Sequence, residues 1–143
     1  AQCDQHGNIN VSRFGPKIAG CGGFIDISQN TPRVCFCGTF TADGLKVRVQ
    51  DGAVHIDQEG RSKKFLRQVE QVTFSGDIYI TERCVFRLKP DGLHLTEIAP
   101  GIDLQRDILD QMEFEPVIEY KDGAVPLMDL RIFQDAPMGL GRN

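Results

Sequence analysis

Two Asp-Gly turns, each set between alternating apolar and polar residues, constrain this chain more than any other feature. Leu45, Val47 and Val49 alternate with Lys46, Arg48 and Gln50; after Asp51-Gly52 the alternation resumes with Val54 and Ile56 against His55 and Asp57. A period of two places one set of side chains on one face of a strand. Asp-Gly between two such runs marks a hairpin, because a type I′ turn needs positive φ at both central residues. The second case is Cys84-Val85-Phe86-Arg87-Leu88, then Lys89-Pro90-Asp91-Gly92, then Leu93 to Ile98. The pattern predicts hairpins of 45–49 with 54–56 and of 84–88 with 93–98.

Around these hairpins the remaining segments are shorter. Residues 4–10 read as a turn leading into a short strand through Val11, broken at Gly15-Pro16. Gly20-Cys21-Gly22-Gly23 is a glycine-rich turn feeding the apolar stretch Phe24-Ile25-Asp26-Ile27, which ends at Thr31-Pro32. Val34-Cys35-Phe36-Cys37 reads as a strand buried on both faces. Ile78-Tyr79-Ile80-Thr81 reads as a further strand. One clear helix is expected near 103–114, with Asp103 as N-cap, Leu104, Ile108, Leu109 and Met112 on one face, and Pro116 as its stop. The last 27 residues read as a loosely structured tail. The whole is strand-rich and of α/β or α+β class. Its first residues look like the middle of a fold that further chain would complete.

Composition narrows the function. The chain of 143 residues is 41% hydrophobic and 25% charged, as a globular domain should be, and its net charge of -4 is mixed along the sequence. That argues against nucleic acid as a partner, since phosphate binding wants a concentrated basic face. No apolar run approaches the roughly 18 residues that span a bilayer, so no membrane partner is expected. The polar start, Ala1 to His6, carries no signal peptide and no initiator Met, which suggests a chain that is processed, cut or partial. Five cysteines at irregular spacing make a poor disulfide framework. Buried, reduced cysteines in a reducing cytoplasm are expected. The pattern lacks zinc-ligand spacing and the three histidines are scattered, so no metal site is expected.

The chemistry concentrates in one place. Closely spaced glycines at Gly20, Gly22 and Gly23 let backbone N–H groups approach a ligand and hold an anion or oxyanion. Spacing alone favours an ordinary tight turn between strand and helix over that reading. Glu82 sits beside Arg83 and reads as half of a structural ion pair. Ser12, Ser28, Ser62 and Ser75 lack a nucleophile elbow. Arg61, Lys63 and Lys64 read as a solvated charged face.

Seven stretches together resemble the family I coenzyme A transferases, in particular the single-chain acetate and propionate branch that also handles 3-oxo acids. They are Asp4 to Ser12, Gly20 to Ile27, Phe36 to Ala42, Gln58 to Phe65, Val72 to Gly76, Tyr79 to Phe86 and Glu97 to Leu104, in family order over nearly the whole chain. The resemblance implies the C-terminal part of an open α/β fold. It also implies a ping-pong reaction through a glutamyl-CoA thioester, with coenzyme A as substrate rather than resident cofactor and short-chain carboxylates as co-substrates, as in short-chain fatty acid and ketone body metabolism. The family's nucleophilic glutamate lies in a motif preceding the region that matches Ala1, so no catalytic residue is assigned within 1–143. The loop Gly20-Cys21-Gly22-Gly23 matches a family loop facing the active site, with an implied role of donating N–H groups to the thioester. The resemblance favours a homo-oligomer of the full chain, with the rest of its own chain as partner. Relatives have a longer stretch between the motifs matching Phe74-Ser75-Gly76 and Tyr79-Ile80-Thr81-Glu82, so either a short loop or a further disordered segment is expected at Asp77. A non-catalytic CoA-binding module and a CoA-dependent acyl-CoA hydrolase are the alternatives.

Overall fold

The computed structural model describes residues 1–141. The chain opens with β1 (Gln2–Asp4) and β2 (Asn8–Asn10), an antiparallel hairpin. Asp4 fixes its turn: the buried carboxylate accepts from the N–H groups of His6 and Asn8, and Gly7 supplies a φ of 73°. A small second hairpin, β3 (Arg13–Phe14) with β4 (Lys17–Ile18), turns at Gly15-Pro16. The glycine stretch then leads into α1 (Phe24–Gln29). Next come β5 (Cys35–Cys37), β6 (Thr41–Ala42), β7 (Lys46–Gln50) and β8 (Ala53–Gln58). They are followed by β9 (Ser62–Lys63), β10 (Phe65–Leu66), β11 (Phe74–Ser75) and β12 (Ile78–Ile80). The last strands are β13 (Cys84–Lys89), β14 (Gly92–Ile98) and β15 (Val117–Ile118).

Both expected hairpins are present. β7 pairs antiparallel with β8 around Asp51-Gly52, whose φ values of 54° and 73° are those of a type I′ turn. β13 pairs antiparallel with β14 around Pro90-Asp91, from Lys89↔Gly92 to Cys84↔Ile98, with a register shift between Val85 and Phe86.

Two mixed sheets form the body. One has the order β15-β14-β13-β12-β5, the other β10-β1-β2-β11. β5 runs parallel to β12, and β1 parallel to β10. Alternation gives the five-stranded sheet two faces. Tyr79, Phe86 and Leu95 point to one side and pack with Ile9, Phe40, Phe65, Ile108 and Met112. Val85 points to the other and packs with Val54, Ala99, Met128 and Phe133. Each such buried side chain contributes about 1.5–3 kcal/mol relative to exposure.

Three expectations change. The 103–114 segment is helical but not a regular α-helix. Asp103 caps it as expected, accepting from the Arg106 N–H at 2.7 Å, but Leu104–Ile108 is a widened π-type turn and Leu109–Gln111 a 3₁₀ turn. The cause is tertiary: the Asp107 carbonyl, which a regular helix would bond to Gln111, instead accepts from Arg83 at 2.7 Å. The regular helix of the chain is the six-residue α1 after the glycines. Secondly, β5 is not buried on both faces. It is an outer strand of its sheet, with Phe36 half-buried and Cys35 and Cys37 exposed. Of the cysteines expected to be buried, only Cys3 and Cys84 are; Cys21 is intermediate. Thirdly, the final segment is docked rather than loose. β15 pairs with β14, the Met128 N–H bonds the Ile98 carbonyl, and Met128 and Phe133 enter the second core.

Candidate functional site

The glycine loop lies at the head of α1. Gly22 has a φ of 55°, the left-handed region that glycine adopts without strain, and the Phe24 N–H closes the turn on the Cys21 carbonyl at 3.1 Å. Gly20, Gly22 and Gly23 are exposed and Cys21 is partly so. The N–H groups of Gly20, Gly22 and Gly23 make no hydrogen bond among the described residues. A Cβ at Gly20 or Gly22 would meet nothing within 4 Å, so the glycines leave open space rather than relieve an internal clash.

Aromatic stacking holds this loop in place. The Phe24 ring stacks on Phe36 of β5, with centroids 5.6 Å apart, and Phe36 stacks in turn on Tyr79 of β12 at 5.6 Å. Such pairs contribute about 0.5–1.5 kcal/mol each beyond buried area. The Tyr79 hydroxyl accepts from the Gly76 N–H at 2.9 Å and donates to the Gly7 carbonyl, and burial pushes its pKa up. Gly76 has to be glycine, since a Cβ there would lie 2.3 Å from the Phe36 ring.

On the other side of Phe36 lies a cavity of about 90 Å³, lined by Cys3, Phe36, Gly38, Thr39, Lys64 and Tyr79 among others. It sits past the C-terminal end of β5, where parallel strands of open α/β sheets offer loops to ligands. Lys64 is not the freely solvated cation that the sequence suggests. Its ammonium donates to the Thr39 carbonyl at 2.5 Å, and desolvation lowers its pKa against the opposing pull of Glu82. Lys63 donates to the Asp110 carbonyl at 2.9 Å.

The loop after β5 is pinned from below by a charged group that sequence reasoning saw only in part. Arg83 is fully buried. Its guanidinium bonds Glu82 at 2.8 Å and Glu59 at 2.7 Å, and lies 5.0 Å from the Phe40 ring centroid. The second oxygen of Glu82 accepts from the Phe40 N–H at 2.9 Å. Glu82 is thus the structural partner the sequence suggested. The Glu59 contribution was not visible, because 24 residues separate the two charges and only the fold joins them. Glu59 lies in the stretch Gln58 to Phe65, which carried no chemistry when read alone.

The chain matches no family model. It is 55% identical, over 97% of its residues, to the acetate CoA-transferase YdiF of Escherichia coli K12. It is 52% identical over 82% of its residues to the caffeate CoA-transferase of Acetobacterium woodii. The crystal structure of the acyl-CoA transferase YdiF from E. coli O157:H7, a thioester complex with CoA, superposes with a TM-score of 0.92 at 54% identity, covering 99% of this chain and 29% of that one. The chain spans 27% and 25% of the lengths of the two curated relatives. In sequence and in fold the chain matches the C-terminal part of YdiF, a family I coenzyme A transferase with a longer chain.

Proposed function

We propose that this chain is the C-terminal segment of an acyl-CoA:carboxylate CoA-transferase that moves CoA between a short-chain acyl-CoA and acetate or a 3-oxo acid. The carrying observation is the 55% identity to an acetate CoA-transferase over 97% of this chain. A glutamate carboxylate from outside residues 1–143 attacks the acyl-CoA thioester, giving a mixed anhydride and CoA thiolate. The thiolate attacks the glutamyl carbonyl, releases the carboxylate and leaves a glutamyl-CoA thioester. The incoming carboxylate takes the CoA by the reverse steps.

In that cycle this chain supplies an electrostatic part. The unbonded N–H groups of Gly20, Gly22 and Gly23 donate to the oxygen of the attacked carbonyl, where negative charge develops. Cys21 contributes backbone and a thiol of ordinary size to the same turn. The Phe24–Phe36–Tyr79 stack keeps the turn fixed on the sheet, so the donors are oriented before the substrate arrives. The protein works in the cytoplasm as a homo-oligomer; five unbridged cysteines suit a reducing compartment. The test uses the full-length protein with acetyl-CoA and propionate. Propionyl-CoA should form, and intact mass after incubation with acyl-CoA alone should show a CoA adduct on one glutamate. Transfer without any covalent CoA adduct would overturn the mechanism, and release of free CoA to water in place of transfer would make the protein a hydrolase.

A further inference from the structure

The buried charges around Arg83 do more than balance one another. Glu59 grips the guanidinium through both carboxylate oxygens, at 2.8 and 2.7 Å. A bidentate pair of this kind answers the charge of an arginine by itself. Glu82 is thus a second, mostly buried carboxylate where one already serves. Such burial is offset only by further bonds. Glu82 makes one that Glu59 does not: its Oε2 accepts from the Phe40 N–H at 2.9 Å.

That bond joins two chain segments at one end of the sheet. β5 and β12 run parallel, and just past β5 the Gly38 N–H still bonds the Ile80 carbonyl at 3.0 Å. Phe40 lies three residues beyond β5 and Glu82 two beyond β12, so their bond closes the two loops on each other immediately outside the strands. Lys64 holds the adjacent Thr39 by its carbonyl. Side chains of opposite charge therefore fix the end of β5 at consecutive residues. β5 carries Phe36, Phe36 stacks on Phe24, and the Phe24 N–H closes the glycine turn on Cys21. Only residues 30–34 connect α1 to β5, so the start of α1 and the end of β5 lie toward the same end of the sheet.

We propose that Glu82 is a positioning residue for CoA transfer: through Phe40 it fixes the end of β5, and through the Phe36–Phe24 stack it fixes the N–H donors of the glycine turn. This role rests on the function proposed above. Donors that are slightly displaced stabilise a developing oxyanion less, while the rest of the substrate binds as before. The loss therefore falls on kcat and spares KM.

The experiment uses the full-length protein with acetyl-CoA and propionate. Glu82→Asp keeps a charge beside Arg83 but is one methylene too short to bond Arg83 and the Phe40 N–H together. It should lower kcat by about tenfold or more, leave KM for acetyl-CoA within about twofold, and speed amide hydrogen exchange in residues 24–36. Met128→Ala, which opens the second core away from these contacts, is the destabilised control and should keep the parent kcat. Glu82→Asp combined with Phe36→Leu should cost no more than the larger single change, since both act through one path. Parent kcat in Glu82→Asp, unchanged exchange in 24–36, an equal kcat loss in Met128→Ala, or single losses that multiply in the double variant would each overturn the role. Absence of CoA transfer by the unsubstituted protein would instead overturn the proposed function, and this role with it.

Discussion

At the residue scale, Arg83 shows how one side chain can organise the loops around it. A buried guanidinium is costly unless its charge and its donors are answered, and here Glu59, Glu82, the Thr41 hydroxyl and the Asp107 carbonyl answer them. Replacing it with methionine strands two carboxylates. Arg83→Met should therefore destabilise the full-length protein by about 3–5 kcal/mol in urea unfolding, and adding Glu59→Gln should recover part of that loss. The acid limb follows from the same group. Burial pushes the Glu59 carboxyl up, but the bonds from Arg83, Thr41 and the Gly60 N–H outweigh it and hold the pKa below its usual value. A carboxyl depressed in the folded state stabilises above its unfolded pKa, and that stability is lost as pH falls through the folded value. Stability should thus fall below about pH 4.3, and Glu59→Gln should make that fall shallower in pH-dependent unfolding. Gly22 gives the functional counterpart. Its φ of 55° costs a residue with a Cβ about 1–2 kcal/mol, but the space around it is open, so Gly22→Val should fold. It should cut CoA-transfer turnover in the full-length protein at least tenfold, because the new methyls occupy the approach to the N–H donors. Wild-type turnover in a folded variant would remove the glycine loop from the site.

At the element scale, the hairpins were legible because their information is local. Alternation and an Asp-Gly turn lie within a dozen residues, and at Asp51-Gly52 both positions take the positive φ that such a turn needs. The 103–114 helix was legible in its cap but not in its pitch. Asp103 and the Arg106 N–H are three residues apart, whereas the Arg83 bond that diverts the Asp107 carbonyl comes from the turn before β13, 24 residues away. β5 misled for a related reason. Four apolar residues in a row look like an interior strand, but its place at the sheet edge is set by which strands pair. Gly76 tests the link between β5 and the loop. Gly76→Ala forces the Phe36 ring to move, since the added methyl would sit 2.3 Å from it. It should cost about 1–3 kcal/mol by thermal or urea unfolding and should lower turnover through the displaced Phe24 stack. Full activity together with full stability would mean that the stack does not position the loop. Asp77 stands at the junction where the sequence left open a short loop or a missing segment. The carboxylate accepts from the Val34 N–H at 2.9 Å, and its backbone joins β11 to β12 with one residue between Gly76 and Ile78.

At the scale of the whole molecule, the chain carries the sheet and the glycine turn, and the proposed cycle draws its nucleophile from outside residues 1–143. CoA exchange between two carboxylates needs a place to hold CoA covalently between half-reactions. An oxyanion site without that group cannot complete the cycle. The 143-residue chain alone, mixed with acetyl-CoA and propionate, should form no propionyl-CoA above background, and intact mass should show no CoA on Glu82 or Glu97. An adduct on either would relocate the nucleophile into this chain. Glu82 is an unpromising candidate on geometry, since both of its oxygens are engaged, one by Arg83 and one by the Phe40 N–H.

The sequence by itself determined the strand-rich class, both hairpins, the Asp103 cap, the glycine turn and the resemblance to the family. Each of these depends on neighbouring residues or on a run of matched motifs. Tertiary structure alone decided that Glu59 meets Arg83, that Phe24, Phe36 and Tyr79 form one stack, that Lys64 is half-desolvated, and that Cys35 and Cys37 face outward with their sulfurs together. The physical reason is the range of the interactions. Backbone propensity and turn chemistry act over a few residues, so a sequence displays them directly. Burial, charge pairing and desolvation depend on which distant strands become neighbours, and that is fixed only when the two sheets close on their core.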